Sequence, residues 1–222
     1  MIVAFDLDDT LYPEVTYVDS GFRAIARRLA EELGVPERKS LEVLRRSLEE
    51  HGRGRQIDDV LAHWGAPGRT RVRRLLAVYR SHRPELALPA ASRRVLERLR
   101  ADGHALYLVT DGNARVQAAK VEALGLGPYF RYCYLTHRYG LAAAKPATRV
   151  FELMLRREQA RPEDLVYVGD DPSKDFVGVR ALGGATIRVL AGRCTRAQAR
   201  PGYDAAVSVE RLDEILELVA DL

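Results

Sequence analysis

The sequence predicts an α/β fold, in which a parallel sheet carries helices on both faces and an α-helical block is inserted after the first strand. From about residue 90 onward, short apolar runs alternate with helical patterns, which is typical of parallel sheets. A βαβ unit needs roughly 30 residues. About 100 positions separate Thr10, after the first predicted strand, from Thr110, at the end of the second. The surplus between them has helical spacing and no strand-like run.

The first stretch, residues 2–11, passes from apolar, β-prone residues directly into Asp6, Asp8 and Asp9. In an extended strand, Asp6 and Asp8 project from the same side. Two carboxylates ~4 Å apart repel each other by about 4 kcal/mol at an effective dielectric constant of about 20. A bound cation, or a division into one acid and one base, is the usual reason for two such carboxylates to coexist. A strand that ends in an acidic surface turn is the alternative, and this stretch alone does not decide.

The helical patterns of the inserted block are broken by glycine and proline, and they cover residues 19–33, 37–50, 57–64 and 69–82. The rest of the chain predicts helix 92–101, strand 105–109, helix 114–124, strand 131–136, helix 146–158, strand 165–169, helix 174–182, strands 185–190 and 205–207, and helix 209–220.

These elements predict two domains, an α/β core of residues 1–12 and 86–222 and a helical cap of residues 13–85. An insertion after the first strand stands over the carboxyl ends of the strands, where open α/β sheets bind ligands. The cap is therefore positioned to be a lid.

The composition is that of an ordinary globular protein, with 47% hydrophobic and 30% charged residues among 222. The net charge is +4, but arginine alternates with glutamate along the predicted helices, which indicates solvated faces and argues against a nucleic-acid partner. No apolar run is long enough to span a bilayer, so no membrane partner is expected. Met1 leads directly into a strand without a basic leader, and a cytoplasmic location is expected. A monomer or a homodimer fits these features.

Two residue types are scarce. The two cysteines, Cys133 and Cys194, exclude a disulfide framework and a cysteine-based metal site. Only four of the 35 basic residues are lysines, namely Lys39, Lys120, Lys145 and Lys174. A lysine in this chain is therefore a minority choice, which suggests a chemical role.

Polar residues follow the predicted strands or lie in the connecting loops at four places: Asp6-Leu7-Asp8, Thr110-Asp111-Gly112, Lys145 and residues 169–175. Together they offer a nucleophile, a second carboxylate, a hydroxyl, a lysine and further carboxylates. Phosphoryl transfer needs this inventory, because it requires an in-line nucleophile, an acid/base and cations on the phosphoryl oxygens. An acidic cluster of this kind binds Mg²⁺ through oxygen ligands.

Residues 6–10, Thr110, Lys145 and residues 169–175 resemble, in order and placement, the four motifs of the haloacid dehalogenase-like hydrolase superfamily. The inserted helices resemble the small helical cap of its phosphatase subgroup, which includes phosphoglycolate and acylneuraminate phosphatases. The resemblance covers essentially the whole chain and implies a Rossmann-like core. Each motif alone is weak, whereas all four in order are highly specific.

The resemblance implies a role for each matching residue. Asp6 would attack phosphorus, and Asp8 would protonate the leaving oxygen and later deprotonate the hydrolytic water. Thr110 would bind the phosphoryl oxygens, and Lys145 would neutralise charge on the nucleophile and the phosphoryl group. Mg²⁺ would be held by the carboxylates of Asp6 and Asp170 and by the backbone carbonyl of Asp8.

The resemblance also gives supporting roles to neighbouring residues. Asp111 and Gly112 belong to the turn after Thr110 that would help to bind substrate, although the family often has asparagine at position 111. Asp175, with Asp171 able to share the task, would orient metal-bound water or Lys145 rather than bind the metal directly. A second proline often seen after Lys145-Pro146 is absent.

Asp8 favours a phosphatase over a dehalogenase, because displacement of halide needs no protonation of a leaving oxygen. The expected partner is a small phosphorylated metabolite. Similar proteins act on phosphoglycolate, sugar phosphates, acylneuraminate phosphates, nucleotides or pyrophosphate, and the sequence does not choose among them. A sugar phosphomutase of the same fold and a non-catalytic phosphate-binding regulator are the alternatives.

Four other residues carry structural expectations. Asp9 is expected to cap the turn after the first strand, and Asn113 is expected to be a helix N-cap. Lys174 is expected to face solvent at the start of its helix. Trp64, the only tryptophan, is expected in the core of the cap.

Overall fold

The computed structural model describes residues 1–221, which divide into two compact units. One unit comprises Met1–Glu14 and Ala87–Leu222, and the other comprises Val15–Leu86. These limits lie within two residues of the predicted domain boundaries. No helix of the described chain is long and apolar enough to cross a membrane.

The first unit contains one parallel six-stranded sheet in the order β3-β2-β1-β4-β5-β6. The strands are β1 (Ile2–Phe5), β2 (Ala105–Thr110), β3 (Tyr132–Leu135), β4 (Leu165–Gly169), β5 (Ala185–Val189) and β6 (Val207–Val209). The central strands are buried because helices cover both faces, and this explains their continuous apolar runs. The predicted Rossmann-like α/β class is confirmed.

The helices of this unit are α5 (Ala90–Ala101), α6 (Ala114–Ala123), α7 (Arg149–Glu158), α8 (Val177–Leu182) and α9 (Ile215–Ala220). Three starts were predicted too early: at 146 for α7, at 174 for α8 and at 209 for α9. The residues before α7 and α8 belong to the loops that build the site described below. Residues 212–214, before α9, form a 3-10 turn.

The second unit is a helical block with its own core. It contains the bulk of α1 (Glu14–Leu33), together with α2 (Glu37–His51), α3 (Gln56–His63) and α4 (Arg69–Ser81). Helix α1 begins five residues before the predicted start at 19, directly after Pro13. The fully buried apolar residues of this core include Ile25, Leu44 and Leu75.

Trp64 packs against this core, and its Nε1 donates a hydrogen bond to Ser40 Oγ at 3.0 Å, so its expected place is confirmed.

The strand order determines where a site can form. After β1 the sheet grows outward to β2 and β3, and the chain then returns to place β4 on the other side of β1. The loops that leave β1 and β4 therefore diverge, which opens a crevice at the carboxyl ends of the two strands. Asp6 directly follows β1 and Asp170 directly follows β4.

Candidate active site

Three buried carboxylates meet in this crevice. Asp6, Asp170 and Asp175 each offer an oxygen, and these oxygens lie within 4.8 Å of one another. The strand pairing explains the approach of the first two, because Phe5 in β1 lies opposite Val168 in β4. Asp175 reaches the same place from the loop after β4. Like charges therefore do lie close together, and they lie inside the protein.

Lys145 lies in the loop before α7 and reaches the cluster of three carboxylates. Its Nζ lies 2.6 Å from Asp6 Oδ1 and 2.7 Å from Asp175 Oδ1, and its side chain is fully buried. Tyr167 of β4 places its hydroxyl 2.9 Å from the same nitrogen. Burial opposes the charge on Lys145, but the two carboxylates outweigh it and raise the pKa of Lys145 well above its ordinary value.

One lysine does not balance three carboxylates. Burial, together with the charges of Asp6 and Asp175, raises the pKa of Asp170 to about 8. Burial also raises the pKa of Asp6 to about 6, although Lys145 opposes the shift. The cluster thus holds excess negative charge on oxygen donors, which is the environment that a hard divalent cation such as Mg²⁺ prefers. The residues present fit a magnesium site.

Of the three carboxylates, Asp175 has the most contacts with donor groups of the protein. Its Oδ2 accepts hydrogen bonds from the backbone N–H groups of Asp170 at 3.1 Å and Asp171 at 2.9 Å. With Lys145 on its other oxygen, Asp175 holds the loop and the lysine in place.

Asp8 lies in a different environment from Asp6. Lys120 Nζ lies 2.7 Å from its Oδ1 and 2.9 Å from its Oδ2. Tyr12 donates to Oδ1 at 2.7 Å, and Gln117 Nε2 donates to Oδ2 at 2.8 Å. Burial pushes the pKa of Asp8 upward, but the charge of Lys120 and these hydrogen bonds outweigh it and hold the pKa below its ordinary value.

Gln117 connects Asp8 to Thr110. Its Nε2 also donates to Thr110 Oγ1 at 2.5 Å, so one amide group contacts both side chains. Because the Thr110 oxygen accepts this bond, its hydroxyl hydrogen is left to donate to another acceptor. Thr110 is buried at the end of β2, next to the crevice.

The side chain of Asp111 is turned toward the Lys145 loop. Its Oδ1 accepts hydrogen bonds from Thr136 Oγ1 at 2.6 Å and from the backbone N–H of Lys145 at 3.2 Å. Gly112 follows with a φ of 120°, which favours glycine. The structure therefore gives the Asp111 side chain a structural contact that the sequence did not predict.

The expectation that Lys174 faces solvent from a helix is wrong. Helix α8 begins at Val177, and the Lys174 side chain is only 28% exposed. Its Nζ lies 3.8 Å from Asp111 Oδ2 and 3.9 Å from Asp171 Oδ2. Asp171 in turn accepts from Ser173 Oγ at 2.6 Å, which fixes the loop after β4.

Two structural expectations at the site are met. Asn113 Oδ1 accepts from the backbone N–H groups of Arg115 and Val116, which confirms it as the N-cap of α6. Asp9 has a φ of 57° and accepts from the backbone N–H of Glu14 at 2.9 Å, at the start of α1. Asp9 thus closes the turn that follows β1.

Lys120, Gln117, Tyr12 and Tyr167 contact predicted site residues, but the sequence did not assign them a part in the site. Lysine scarcity was the available signal, since three of the four lysines, Lys120, Lys145 and Lys174, lie at the site. No comparable signal marked the other three side chains, because their burial depends on the tertiary fold.

Comparison with known proteins identifies the family of the chain. The model of the haloacid dehalogenase-like hydrolase family matches residues 1–183. The chain belongs to this family.

Its relatives include named phosphatases. The chain is 30% identical to a glyceraldehyde 3-phosphate phosphatase of Methanopyrus kandleri, over 99% of this chain and 97% of the relative. It is 29% identical to a ribulose-1,5-bisphosphate 5-phosphatase of Halopiger xanaduensis, over 99% of this chain and 96% of the relative. A solved 2-haloacid dehalogenase of Pseudomonas syringae is similar with a TM-score of 0.64 and 26% identity, covering 100% of this chain and 99% of that one.

Proposed function

We propose that this protein is a Mg²⁺-dependent phosphatase that hydrolyses a small phosphorylated metabolite through an aspartyl phosphate on Asp6. The observation that carries the proposal is the contrast between Asp6 and Asp8. Asp6 lies in a buried cluster with Lys145, Asp170 and Asp175, whereas Asp8 is held by Lys120 outside that cluster. Phosphoryl transfer through a covalent intermediate needs this separation of nucleophile and acid/base.

In the first half of the reaction, a carboxylate oxygen of Asp6 attacks the phosphorus atom. The bond from phosphorus to the leaving oxygen breaks. Asp8, which is ionised in the free protein, takes up a proton from the monoanionic phosphate group of the substrate as this group binds, and it passes this proton to the leaving oxygen, so the alcohol departs neutral. Lys145 stabilises the charge shared by Asp6 and the phosphoryl oxygens, and the Thr110 hydroxyl donates to one of these oxygens.

In the second half, Asp8 accepts a proton from water while the water oxygen attacks the phosphorus of the aspartyl phosphate. The bond between phosphorus and the Asp6 oxygen breaks, inorganic phosphate leaves, and Asp6 is again a carboxylate. Asp8 then releases this proton with the departing phosphate and is ionised again, so the two halves balance.

The carboxylates of Asp6 and Asp170 and the backbone carbonyl of Asp8 would hold Mg²⁺, with Asp175 and Asp171 supporting the site. When bound, the cation would neutralise the charge of the carboxylates and of the phosphoryl group. The inserted helices, residues 13–85 in the sequence-based division, would act as the cap that excludes water from the reaction.

The presence of Asp8 supports a phosphatase rather than a dehalogenase, because the leaving alkoxide needs a proton and a halide does not. The names of the relatives support phosphorylated sugars of three to five carbons as the substrate class. Glyceraldehyde 3-phosphate is the first compound to test.

The test is steady-state hydrolysis of p-nitrophenyl phosphate and of a panel of phosphorylated metabolites headed by glyceraldehyde 3-phosphate. We expect turnover that requires Mg²⁺ and disappears with EDTA. A phosphomutase would instead require a sugar bisphosphate as activator, and a phosphate-binding regulator would bind phosphate without turnover. Absence of metal-dependent hydrolysis across the panel would refute the proposal.

A further inference from the structure

Helix α6 turns a polar face inward. The two fully buried residues among its ten are Gln117 and Lys120, which lie three positions apart and therefore on one face. A helix that packs against a sheet normally buries an apolar stripe. The inward face of α6 instead contacts Asp8 and, through Gln117, Thr110.

Stability does not explain this arrangement. The Lys120 side chain is 3% exposed, and the removal of an ammonium group from water costs several kcal/mol. A buried ion pair rarely recovers more than a well-packed apolar pair would provide. Apolar residues at positions 8 and 120 together would fill similar space without that cost. The lysine is therefore best explained by what it does to its partner.

The contacts fix the orientation of the Asp8 carboxylate. Lys120 contacts both of its oxygens, Tyr12 donates to one and Gln117 donates to the other. Donors on both oxygens restrict rotation of the carboxylate about the bond to Cβ. Gln117 also ties this orientation to Thr110, the residue proposed to bind the phosphoryl oxygens. The acid/base group and the phosphoryl-binding group are thus held by one helix.

We propose that Lys120 is a positioning residue, which holds the Asp8 carboxylate in line with the oxygen that leaves phosphorus. The inference rests on the proposed phosphatase function. Lys120 contacts both oxygens of the Asp8 carboxylate, and its effect on the reaction passes through Asp8. Reactions that depend strongly on proton donation by Asp8 will depend on Lys120, and reactions with a leaving group that needs no proton will depend on it less.

The experiment compares two substrates of nearly the same shape, phenyl phosphate and p-nitrophenyl phosphate. Phenolate is the more basic leaving group and gains more from protonation. We expect Lys120→Met to lower kcat/KM about 100-fold for phenyl phosphate and less than about 10-fold for p-nitrophenyl phosphate. kcat/KM is the right measure because it covers the steps up to phosphoryl transfer and excludes hydrolysis of the intermediate.

Matched variants keep the test independent of folding. Lys39→Met removes a half-exposed lysine of α2 and is expected to leave both substrates unchanged. Lys120→Gln keeps a donor for Asp8 and is expected to lose less than Lys120→Met, so it provides the measurement if the methionine variant does not fold. In an Asp8→Asn background, Lys120→Met is expected to cause no further loss.

Equal losses on the two substrates, or an additive loss in the Asp8→Asn background, would overturn the positioning role while leaving the phosphatase proposal intact. A wild-type protein without Mg²⁺-dependent turnover of either substrate would overturn the phosphatase proposal and this inference with it.

Discussion

Two lysine–carboxylate pairs lie at the end of the same strand, and they differ in how many carboxylates contact the lysine closely. Lys145 is shared between Asp6 and Asp175, with Asp170 nearby, so negative charge is in excess. Lys120 contacts both carboxylate oxygens of Asp8, which also accept from neutral donors, and a second carboxylate, Glu14, lies farther away, with its Oε1 3.8 Å from the lysine nitrogen. The pKa of Asp6 is accordingly raised to about 6, mainly by burial, whereas the pKa of Asp8 is lowered by Lys120 against the effect of burial.

The difference shows how two carboxylates two residues apart can take separate roles. The Lys145 pair, with its excess of carboxylates, attracts a cation. The Lys120 pair keeps the Asp8 carboxylate ionised in the free protein and holds it in a fixed orientation. The following predictions alter one pair at a time.

The largest effect is expected from Asp6→Asn. An amide cannot form the aspartyl phosphate, and loss of a covalent nucleophile costs on the order of 10⁴-fold or more in kcat. Hydrolysis of p-nitrophenyl phosphate with saturating Mg²⁺ measures this loss, and thermal unfolding controls for folding. Residual activity within about 10-fold of wild type would show that Asp6 is not the nucleophile.

Removal of the lysine from each pair is expected to affect stability unequally. Lys145→Met leaves two buried carboxylates without their cation and is expected to cost about 3–5 kcal/mol. Lys120→Met leaves Asp8 with Tyr12 and Gln117 as donors and is expected to cost about 1–3 kcal/mol. Urea unfolding without Mg²⁺ gives both free energies of unfolding. A larger loss in the free energy of unfolding for Lys120→Met than for Lys145→Met would mean that Asp8, not Asp6, depends more on its lysine for stability.

Stabilisation by Mg²⁺ is expected to depend on pH. The pKa of Asp170 rises from 3.8 to about 8 on folding, so the folded metal-free protein binds more protons than the unfolded chain. Its stability therefore falls as pH rises between these values. Mg²⁺ takes the place of the bound proton, so the increase in Tm that it causes should be larger at pH 8 than at pH 6.

The size of this increase follows from mass action. Free Mg²⁺ at about 100 times its Kd stabilises the protein by about 2.7 kcal/mol, which corresponds to a rise in Tm of roughly 5–10 °C. Asp170→Asn is expected to remove most of the pH dependence. A Tm increase that is the same at both pH values in the wild type would contradict the proposed competition between proton and metal.

The smallest effect is expected from Asp111→Asn. The amide oxygen of asparagine can still accept from Thr136 and from the backbone N–H of Lys145, so activity should fall less than about 3-fold. Asp111→Ala removes both bonds to the Lys145 loop, and we expect it to lower kcat about 10-fold or more. Equal activity of the two variants would show that the Asp111 side chain does not hold Lys145.

The sequence predicted the order of strands and helices because buried parallel strands and amphipathic helices have clear patterns. It also marked Asp6, Asp170 and Lys145, since carboxylates and a rare lysine at strand ends are conspicuous. The sequence did not predict that the face of α6 with Gln117 and Lys120 is buried. Gln117 and Lys120 at helical spacing normally indicate a solvated face, and only the packing of α6 against the end of β2 reverses that interpretation.

Lys174 was missed for a related reason. The helical pattern around it suggested an exposed helix start, but the chain after β4 first forms a loop fixed by Asp171 and Asp175. Such loops depend on side-chain hydrogen bonds between residues close in sequence, which hydrophobic periodicity does not reveal.

The most direct test of the division between the two carboxylates is to isolate the covalent intermediate with Asp8→Asn. p-Nitrophenolate leaves without a proton, so this variant should still be phosphorylated by p-nitrophenyl phosphate, but it lacks the base that hydrolyses the intermediate. After brief incubation and acid quench, intact mass and peptide mapping should show one phosphoryl group, located on Asp6. A phosphoryl group on any other residue, or none on a variant that still releases p-nitrophenol, would contradict the division.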